Sequence, residues 1–500
     1  MAERSDSLRL LILDVGTSSM RGTLMDGQGR QLDQVQIHYQ PSYFSDGRVE
    51  QSPDDWLDAM DRISKHYAAR DPIDAIALTS QRSSVIPVDA LGSPLAPAIM
   101  WQDDRNQGIC TELERESELF HTRCGSFINT VYSGTKMAWL RRHEPTLYHK
   151  AVHLPVIPDY LLYHLTGDFV TDDTYASRSL MMDLVTCQWD DELLELLGVQ
   201  KEKLSRIIPA GSIAGYVSEK WAYRTGVPAG LPVISCGGDQ QCAALGEGAC
   251  SPGTATINLG TGGYLVAVTD KFPNLQKIKL NCNTYAIPGT YMLEYDLLAC
   301  GAAVDWALKL LYGRVDSAQI DFALRRSIPG AGGIDVLPYF QGRSGIEWKA
   351  TERASISGMS LATTRYDILR GILEGICGEF ARGMREMEEI QPIFSLSVGG
   401  GLSNSDDFCQ LLADYLDRPI TRCAKTEATT IGAWASAVVR LGAYENCQAA
   451  LDAVPFSRGK TFVPDQVHAF VPDQVHAGFY RKMRKERSRV YAGTIEKASL

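Results

Sequence analysis

The chain has 500 residues, of which 45% are hydrophobic and 22% are charged, and its formal net charge is -11. This composition is typical of a globular protein, and the acidic balance argues against broad binding to nucleic acid or to anionic membranes. Because a single core rarely grows beyond about 250–300 residues, the length predicts two domains of similar size.

Cysteine usage and targeting signals bear on the cellular compartment. The twelve cysteines are scattered and none forms a Cys-x-x-Cys pair, which favours buried free thiols in a reducing cytoplasm over a disulfide framework. The apolar run over 10–13 is too short for a signal peptide, and no apolar stretch approaches the roughly 18 residues of a membrane span. We therefore expect a cytoplasmic protein with no membrane partner.

The first predicted element is a hairpin near the N-terminus. The apolar run over 10–13 leads into Asp14-Val15-Gly16-Thr17-Ser18-Ser19, and a second apolar run follows. Glycine lets the backbone approach a ligand closely, and successive N–H groups in such a turn form a nest for an anion. An ordinary hairpin with a glycine turn is the alternative for this segment taken alone.

Two polar segments then follow predicted strands. After a predicted helix over 53–69, the strand over 75–78 leads into Gln81-Arg82, and the strand over 98–100 leads into Trp101-Gln102-Asp103-Asp104-Arg105. An aromatic face beside carboxylate, amide and guanidinium groups suits a polyhydroxylated ligand. The alternative is that the tryptophan lies in the core and the charges in solvent.

One aspartate follows the strand predicted over 233–236, in the segment Gly237-Gly238-Asp239-Gln240-Gln241. A carboxylate at the carboxyl end of a strand, freed by two glycines, is placed to act in a cleft. The alternative is a helix N-cap, because helical residues follow. A turn over 249–253 predicts the boundary between an N-terminal domain, residues 1–249, and a C-terminal domain, residues 250–500.

A second hairpin repeats the first at half-chain offset. The apolar run over 255–259, the turn Gly260-Thr261-Gly262-Gly263 and the apolar run over 264–268 give the same order of strand, Gly-Thr turn and strand. Together the two hairpins predict two related domains that face each other across a phosphate group.

The rest of the chain completes an α/β pattern. A long helix is predicted over 366–387, a strand over 395–398, a glycine turn at Gly399-Gly400-Gly401 and a helix over 406–416. The glycine turn is not a GxGxxG fingerprint, and no Walker A motif occurs. A tandem octapeptide over 462–477 predicts an exposed loop, to which we assign no function.

The motifs at 14–19, 238–241, 259–262 and 399–404, all present in this order, resemble those of the FGGY carbohydrate kinases, which include glycerol kinase and xylulose kinase. The resemblance covers the chain from residue 10 to about residue 444. It implies an α/β fold of two actin-like (ribonuclease H-like) domains with a catalytic cleft between them. It also implies ATP-dependent phosphorylation of a hydroxyl on a small sugar or polyol.

The resemblance also implies roles for individual residues. Asp239 matches the general base, Gln240 its neighbour on the substrate, and Asp14 the acidic residue near Mg²⁺. On the substrate side we add Gln81, Arg82, Trp101 and Asp103. The residues expected to bind ATP are Thr17, Ser18, Ser19, Arg21, Gly260, Thr261, Gly301, Gly400, Gly401 and Asn404.

Two positions depart from the glycerol-kinase pattern. Ser83 stands where a glutamate is expected after Gln81-Arg82, and Val131 stands where a tyrosine is expected before Tyr132. Missing polar partners would leave glycerol hydroxyls unpaired. We therefore favour a pentulose or a related ketose or polyol, with glycerol as the alternative. An actin-like or chaperone-like ATPase is the alternative function from another class. The sequence is also compatible with a homodimer.

Overall fold

The computed structural model describes residues 8–70, 72–345, 349, 351–423, 427–454 and 459–465. The tandem octapeptide lies outside these residues from position 466 onward. Among the described residues, no helix combines the length and apolar character needed to cross a membrane.

The described part of the N-terminal half is built on a sheet of six strands. Their order across the sheet is Ser212–Tyr216, Pro232–Gly238, Ala75–Ser80, Arg9–Val15, Ser19–Asp26 and Gln31–His38. The strands 9–15 and 19–26 pair antiparallel around the first glycine turn, and 9–15 pairs parallel with 75–80.

The described part of the C-terminal half is built on a sheet of seven strands. Their order is Asn281–Thr284, Tyr291–Leu297, Gly263–Thr269, Thr254–Leu259, Ser395–Gly399, Ile420–Arg422 and Thr461–Phe462. The strands 254–259 and 263–269 pair antiparallel around the second glycine turn, and 254–259 pairs parallel with 395–399. Each sheet therefore places a Gly-Thr hairpin beside one parallel strand, so the half-chain repeat predicted from sequence is present in the fold.

Smaller elements surround the two sheets. The short strands are Ser42–Tyr43, Val49–Gln51, Ala98–Ile99, Val170–Asp172, Met182–Asp183, Gln188–Trp189, Arg206–Ile208, Asp335–Leu337 and Ser355–Ser357. The helices of the N-terminal half are Pro53–Ala68, Gln107–Glu112, Ser117–Cys124, Ser133–His143, Pro145–Lys150, Ile157–Thr166, Asp173–Ser177, Asp191–Leu197, Glu219–Thr225 and Asp239–Gly246. Those of the C-terminal half are Gly301–Tyr312, Ala318–Arg326, Arg365–Glu388, Asp406–Leu416, Ala428–Arg440 and Cys447–Ala453. Single 3₁₀ turns span Glu114–Glu116, Lys201–Lys203, Ala331–Gly333 and Gly401–Asn404.

Local sequence explains where the principal helices begin. Ser52 accepts a hydrogen bond from the Asp54 amide at 3.3 Å, and the next residue is Pro53, whose fixed φ suits the first turn. Thr364 and Asp367 exchange side-chain and backbone hydrogen bonds as a capping box before the long helix Arg365–Glu388. Both helices were predicted from sequence, within one residue of these bounds.

Two helices each contact the sheet of the other domain. The helix Ala428–Arg440 belongs to the C-terminal half but packs on the N-terminal sheet, and Asp239–Gly246 packs on the C-terminal sheet. The two helices cross closely, because a Cβ at position 432 would lie 1.9 Å from the carbonyl oxygen of Cys242. A Cβ at position 246 would lie equally close, 2.0 Å from the carbonyl oxygen of Ala428. Only glycine fits at either position, so the crossing joins the two domains tightly.

Candidate active site

The first glycine turn presents hydroxyl groups beside the segments predicted to bind the substrate. The Gly16 amide donates to the Ser19 carbonyl oxygen at 2.9 Å, which closes the turn, and Ser18 is exposed. Trp101 Nε1 donates to Thr17 Oγ1 at 3.2 Å, and Gln81 Nε2 donates to the Gly16 carbonyl at 3.1 Å. The structure thus brings the turn together with two of the predicted substrate residues.

The second glycine turn supports the start of a helix. The Gly301 amide donates to the Gly260 carbonyl oxygen at 2.8 Å, and the Cys300 amide donates to the Thr261 carbonyl oxygen at 2.9 Å. A Cβ at position 301 would lie 2.6 Å from the Gly260 carbonyl oxygen, so only glycine fits. Thr261 itself is exposed at the tip of the turn.

A cavity of about 540 Å³ opens beside this second turn. Five residues predicted to bind ATP line it: Gly260, Thr261, Gly301, Gly401 and Asn404. The sixth predicted residue of this half, Gly400, directly precedes Gly401. The volume and the mixed apolar and polar lining suit a small-molecule ligand.

The sequence prediction missed other residues of this cavity. They are Leu259, Asp305, Leu308, Val315, Ser317, Ala318, Ile320, Asp321, Leu402 and Ser405. Asp305 lies one helical turn after Gly301, and this spacing is the signal by which it could have been found.

Asp239 begins the helix Asp239–Gly246, with Gly238 rather than Asp239 at the N-cap position. The N-cap interpretation of Asp239 is therefore wrong. Its Oδ1 accepts from the Gln240 amide at 2.8 Å and lies 3.7 Å from Arg82 Nε. Burial raises the pKa of this carboxyl, and the charge of Arg82 opposes that rise. The Gln240 side chain is partly buried beside it.

A second carboxylate, Asp14, lies close to Asp239. Burial, and then the negative charge of Asp239, raise the pKa of Asp14 to about 7. Arg21 Nη1 lies 4.0 Å from Asp14 Oδ2 and is also paired with Glu427 of the C-terminal half. Ser19 Oγ accepts a hydrogen bond from Gln36 Nε2. The two carboxylates, the arginine and the first glycine turn thus lie in one region of the molecule.

The carboxylate of Asp103 is used in hydrogen bonds within the protein. Its side chain is fully buried, and its Oδ2 accepts from the Val49 amide at 2.6 Å and from Arg105 Nη2 at 2.7 Å. Its Oδ1 accepts from the Arg105 amide and Nε. These bonds hold the Trp101–Arg105 segment, so the structure corrects the expectation that Asp103 accepts a substrate hydroxyl. Trp101 keeps 36% of its surface exposed, which is not a core position.

Sequence reasoning also missed a group of charged residues opposite Arg82. Glu294, from the C-terminal sheet, lies 3.9 Å from Arg82 Nη1 and 3.4 Å from Arg178 Nη1. Arg178 also lies over the Tyr132 ring, 4.8 Å from its centroid. No linear motif predicts the Glu294 contacts, because each joins segments more than a hundred residues apart.

Two repeated sheets with matching glycine hairpins, a cavity at the second hairpin and a carboxylate pair at the first define a two-domain phosphotransferase of the actin-like class. Comparison with known proteins identifies the family. The FGGY family of carbohydrate kinases matches through its N-terminal domain over residues 9–246 and through its C-terminal domain over residues 255–441. The chain belongs to this family.

Individual relatives agree with this assignment. A glycerol kinase from Alkalilimnicola ehrlichii is 33% identical over 456 residues, which cover 87% of this chain and 90% of the relative. The solved xylulose kinase from Rhodospirillum rubrum covers 97% of this chain and 98% of its own, at a TM-score of 0.89 and 24% identity. Plasmodium falciparum glycerol kinase with ADP covers 98% of both chains, at a TM-score of 0.87 and 23% identity.

The predictions of family, fold class and enzyme class are confirmed. The protein is an ATP-dependent sugar or polyol kinase that transfers phosphate to an alcohol. The fold matches that of solved sugar kinases with an actin-like architecture. The alternative of an ATPase acting through protein contacts is therefore set aside.

Proposed function

We propose that this kinase phosphorylates a hydroxyl of a pentulose or of a related ketose or polyol longer than glycerol, with Asp239 as the general base. The observation that carries the proposal is the position of Asp239. Its side chain is 27% exposed, it begins a helix in the cleft and it faces the buried guanidinium of Arg82. A carboxylate so placed is accessible to an alcohol and held in one orientation.

The proton path follows from the contacts of Asp239. Oδ1 is held by the Gln240 amide and faces Arg82, so Oδ2 is the oxygen available to the substrate. As the alcohol oxygen bonds to the terminal phosphorus of ATP, the bond from that phosphorus to the bridging oxygen breaks and ADP leaves. The proton of the alcohol passes to Oδ2. Phosphoryl transfer depends mainly on positioning and charge neutralisation, so a single carboxylate suffices on the acceptor side.

The region of Asp14 fits a magnesium ion. A buried carboxyl whose pKa is raised partly by a neighbouring carboxylate would be stabilised in its charged form by a cation. Mg²⁺ prefers one or two carboxylates together with phosphate oxygens and waters. We propose Asp14 as the protein ligand; the bound ion would neutralise phosphate charge during transfer.

The nucleotide is assigned to the two glycine turns and the cavity. Thr17, Ser18 and Ser19 present hydroxyls and amides at the first turn, and Thr261 does so at the second. The base and ribose would occupy the cavity between helix Gly301–Tyr312 and the 3₁₀ turn Gly401–Asn404. Closing the two domains on the ligands would exclude water from the reacting phosphate.

The environment of Ser83 supports an acceptor longer than glycerol. Its hydroxyl donates to the Arg178 carbonyl oxygen at 3.2 Å, and its φ of 72° is a left-handed conformation. A serine held in this way supplies no carboxylate to a glycerol hydroxyl. Val131 likewise supplies no phenol.

Glycerol is the second candidate, because relatives at 30–34% identity over most of their length bear the name glycerol kinase. A coupled ADP-release assay over glycerol, tetritols, pentitols, pentuloses and hexuloses separates the two. The proposal predicts the highest kcat/KM for an acceptor of four or more carbons. A preference for glycerol over every longer acceptor would contradict it.

A further inference from the structure

One face of the C-terminal sheet carries polar side chains where that sheet meets the substrate region. In the antiparallel register, Glu294 lies opposite Val266 and Asn281, and Asp296 lies opposite Tyr264. Directly opposed residues share a face, as do residues two apart on one strand. Tyr264, Asn281, Glu294 and Asp296 therefore form one polar surface, which we call the distal wall.

The distal wall contacts the N-terminal domain through two arginines. Glu294 is only 5% exposed and lies between Arg178 at 3.4 Å and Arg82 at 3.9 Å. Arg82 is in turn 3.7 Å from the proposed base, Asp239. The chain of charges from Asp239 to Glu294 thus runs from the reacting end of the acceptor site to the distal wall.

These groups retain hydrogen-bonding capacity. Arg178 is 8% exposed, and its Nε has no hydrogen-bond partner among the described residues. The separations of 3.4–3.9 Å are longer than good charge-assisted hydrogen bonds, which lie near 2.7–2.9 Å. A buried polar group without a partner is costly, so a ligand hydroxyl at this place would be stabilising.

The charge balance identifies the kind of ligand. Two guanidinium groups, Arg82 and Arg178, face three carboxyl groups, Asp239, Glu294 and Asp296. Burial and the adjacent Glu294 charge raise the pKa of Asp296 to about 6. The cluster has no excess positive charge to receive an anionic ligand, whereas carboxylates and guanidinium groups together suit neutral hydroxyls, which both donate and accept.

We propose that Arg178, Glu294 and Asp296 bind the hydroxyls of the acceptor that lie farthest from the phosphorylated one, and that they select an uncharged polyol or ketose over both glycerol and sugar acids. This inference rests on the proposed function, since it extends the same acceptor site. Because Glu294 and Asp296 come from the opposite domain to Asp239, a long acceptor spans the cleft and glycerol does not reach the wall.

The test uses the full-length enzyme and the variants Glu294→Gln and Asp296→Asn. Asp270→Asn is the matched control, because Asp270 is exposed just beyond the strand Gly263–Thr269, at the other end from Tyr264. The measured quantity is kcat/KM for glycerol, erythritol, xylitol, xylulose and gluconate, together with the KM for ATP and the melting temperature.

We expect each wall variant to lower kcat/KM for the preferred long acceptor by about tenfold or more, mainly through KM. The loss in kcat/KM should be smaller for glycerol than for the long acceptor, and the ATP KM should change less than about threefold. Equal losses for all acceptors, no loss, or wild-type preference for gluconate would overturn the inference. If the wild-type enzyme phosphorylates glycerol best, the proposed substrate class fails first, independently of the variants.

Discussion

The charges around Asp239 determine the pH range in which its carboxylate is ionised and can accept a proton. Burial raises its pKa and Arg82 opposes this rise, so the guanidinium keeps the proposed base ionised over a wider range of pH. The same arginine reaches Gln241 Oε1 at 3.3 Å, which fixes its orientation.

Replacing Asp239 by asparagine removes the proton acceptor but keeps the size of the side chain. We expect kcat to fall by about 100- to 10,000-fold, while calorimetric binding of the acceptor largely persists. The coupled ADP assay measures the first and titration calorimetry the second. An unaltered kcat would remove Asp239 from the mechanism.

Replacing Arg82 by alanine removes a positive charge 3.7 Å from Asp239. The acceptor KM should rise by about tenfold or more with little change in the ATP KM. Because the charge lowers the Asp239 pKa, its loss should also move the acidic limb of the kcat/KM profile to higher pH. Arg82→Lys keeps the charge, so the acidic limb of its kcat/KM profile should stay close to that of the wild type. If Arg82→Ala changed only the ATP KM, Arg82 would belong to the nucleotide site instead.

Glu247 gives a prediction about stability rather than catalysis. Burial raises its pKa to about 7 from an ordinary value of 4.5. Between these values the folded state binds more protons than the unfolded state, so this group's contribution to stability decreases as pH rises from about 4.5 to about 7. The free energy of unfolding should therefore fall less between pH 5 and pH 8 in Glu247→Gln than in the wild type. The difference between the two proteins should be up to about 3 kcal/mol.

Urea unfolding at the two pH values measures this difference. The matched control is Glu195→Gln, because Glu195 is exposed on the protein surface. Equal pH dependence in Glu247→Gln and the wild type would show that Glu247 titrates normally in the folded protein.

At the scale of elements, the crossing of helices Asp239–Gly246 and Ala428–Arg440 determines how the two domains are joined. One of these helices begins with Asp239, and the residue before the other, Glu427, is paired with Arg21. The helices are antiparallel at their contact, because Gly246 at the end of one meets Ala428 at the start of the other, and Gly432 meets Cys242 between them. The two helix starts therefore lie at opposite ends of the contact.

Gly432→Ala places a methyl group 1.9 Å from the Cys242 carbonyl oxygen. The helices must separate, and we expect a loss of about 1–3 kcal/mol in the free energy of unfolding, measured with urea. The control is Gly108→Ala, a helical position where an added Cβ meets nothing within 4 Å. Equal stability of the two variants would mean that the crossing is looser than described.

At the scale of the whole molecule, the sequence predicted the two hairpins, the principal helices and the family, because these depend on local patterns. Three glycines predicted to bind ATP, Gly260, Gly301 and Gly401, line one cavity, and their binding of ATP stays a prediction. Asp103 was assigned wrongly because Arg105 and the Val49 amide use its oxygens, and the sequence gives no sign of these contacts. Glu294 and Arg178 were missed because their partners lie in distant segments.

The central claim is that both domains hold one triphosphate between their glycine turns and present its terminal phosphate to an alcohol beside Asp239. A crystal structure with Mg²⁺, a non-hydrolysable ATP analogue and the preferred acceptor tests it most directly. We expect the terminal phosphate between the turns at 16–19 and 260–263, with the acceptor hydroxyl within hydrogen-bonding distance of Asp239 Oδ2. Phosphates bound away from both turns, or an acceptor hydroxyl out of reach of Asp239, would contradict it.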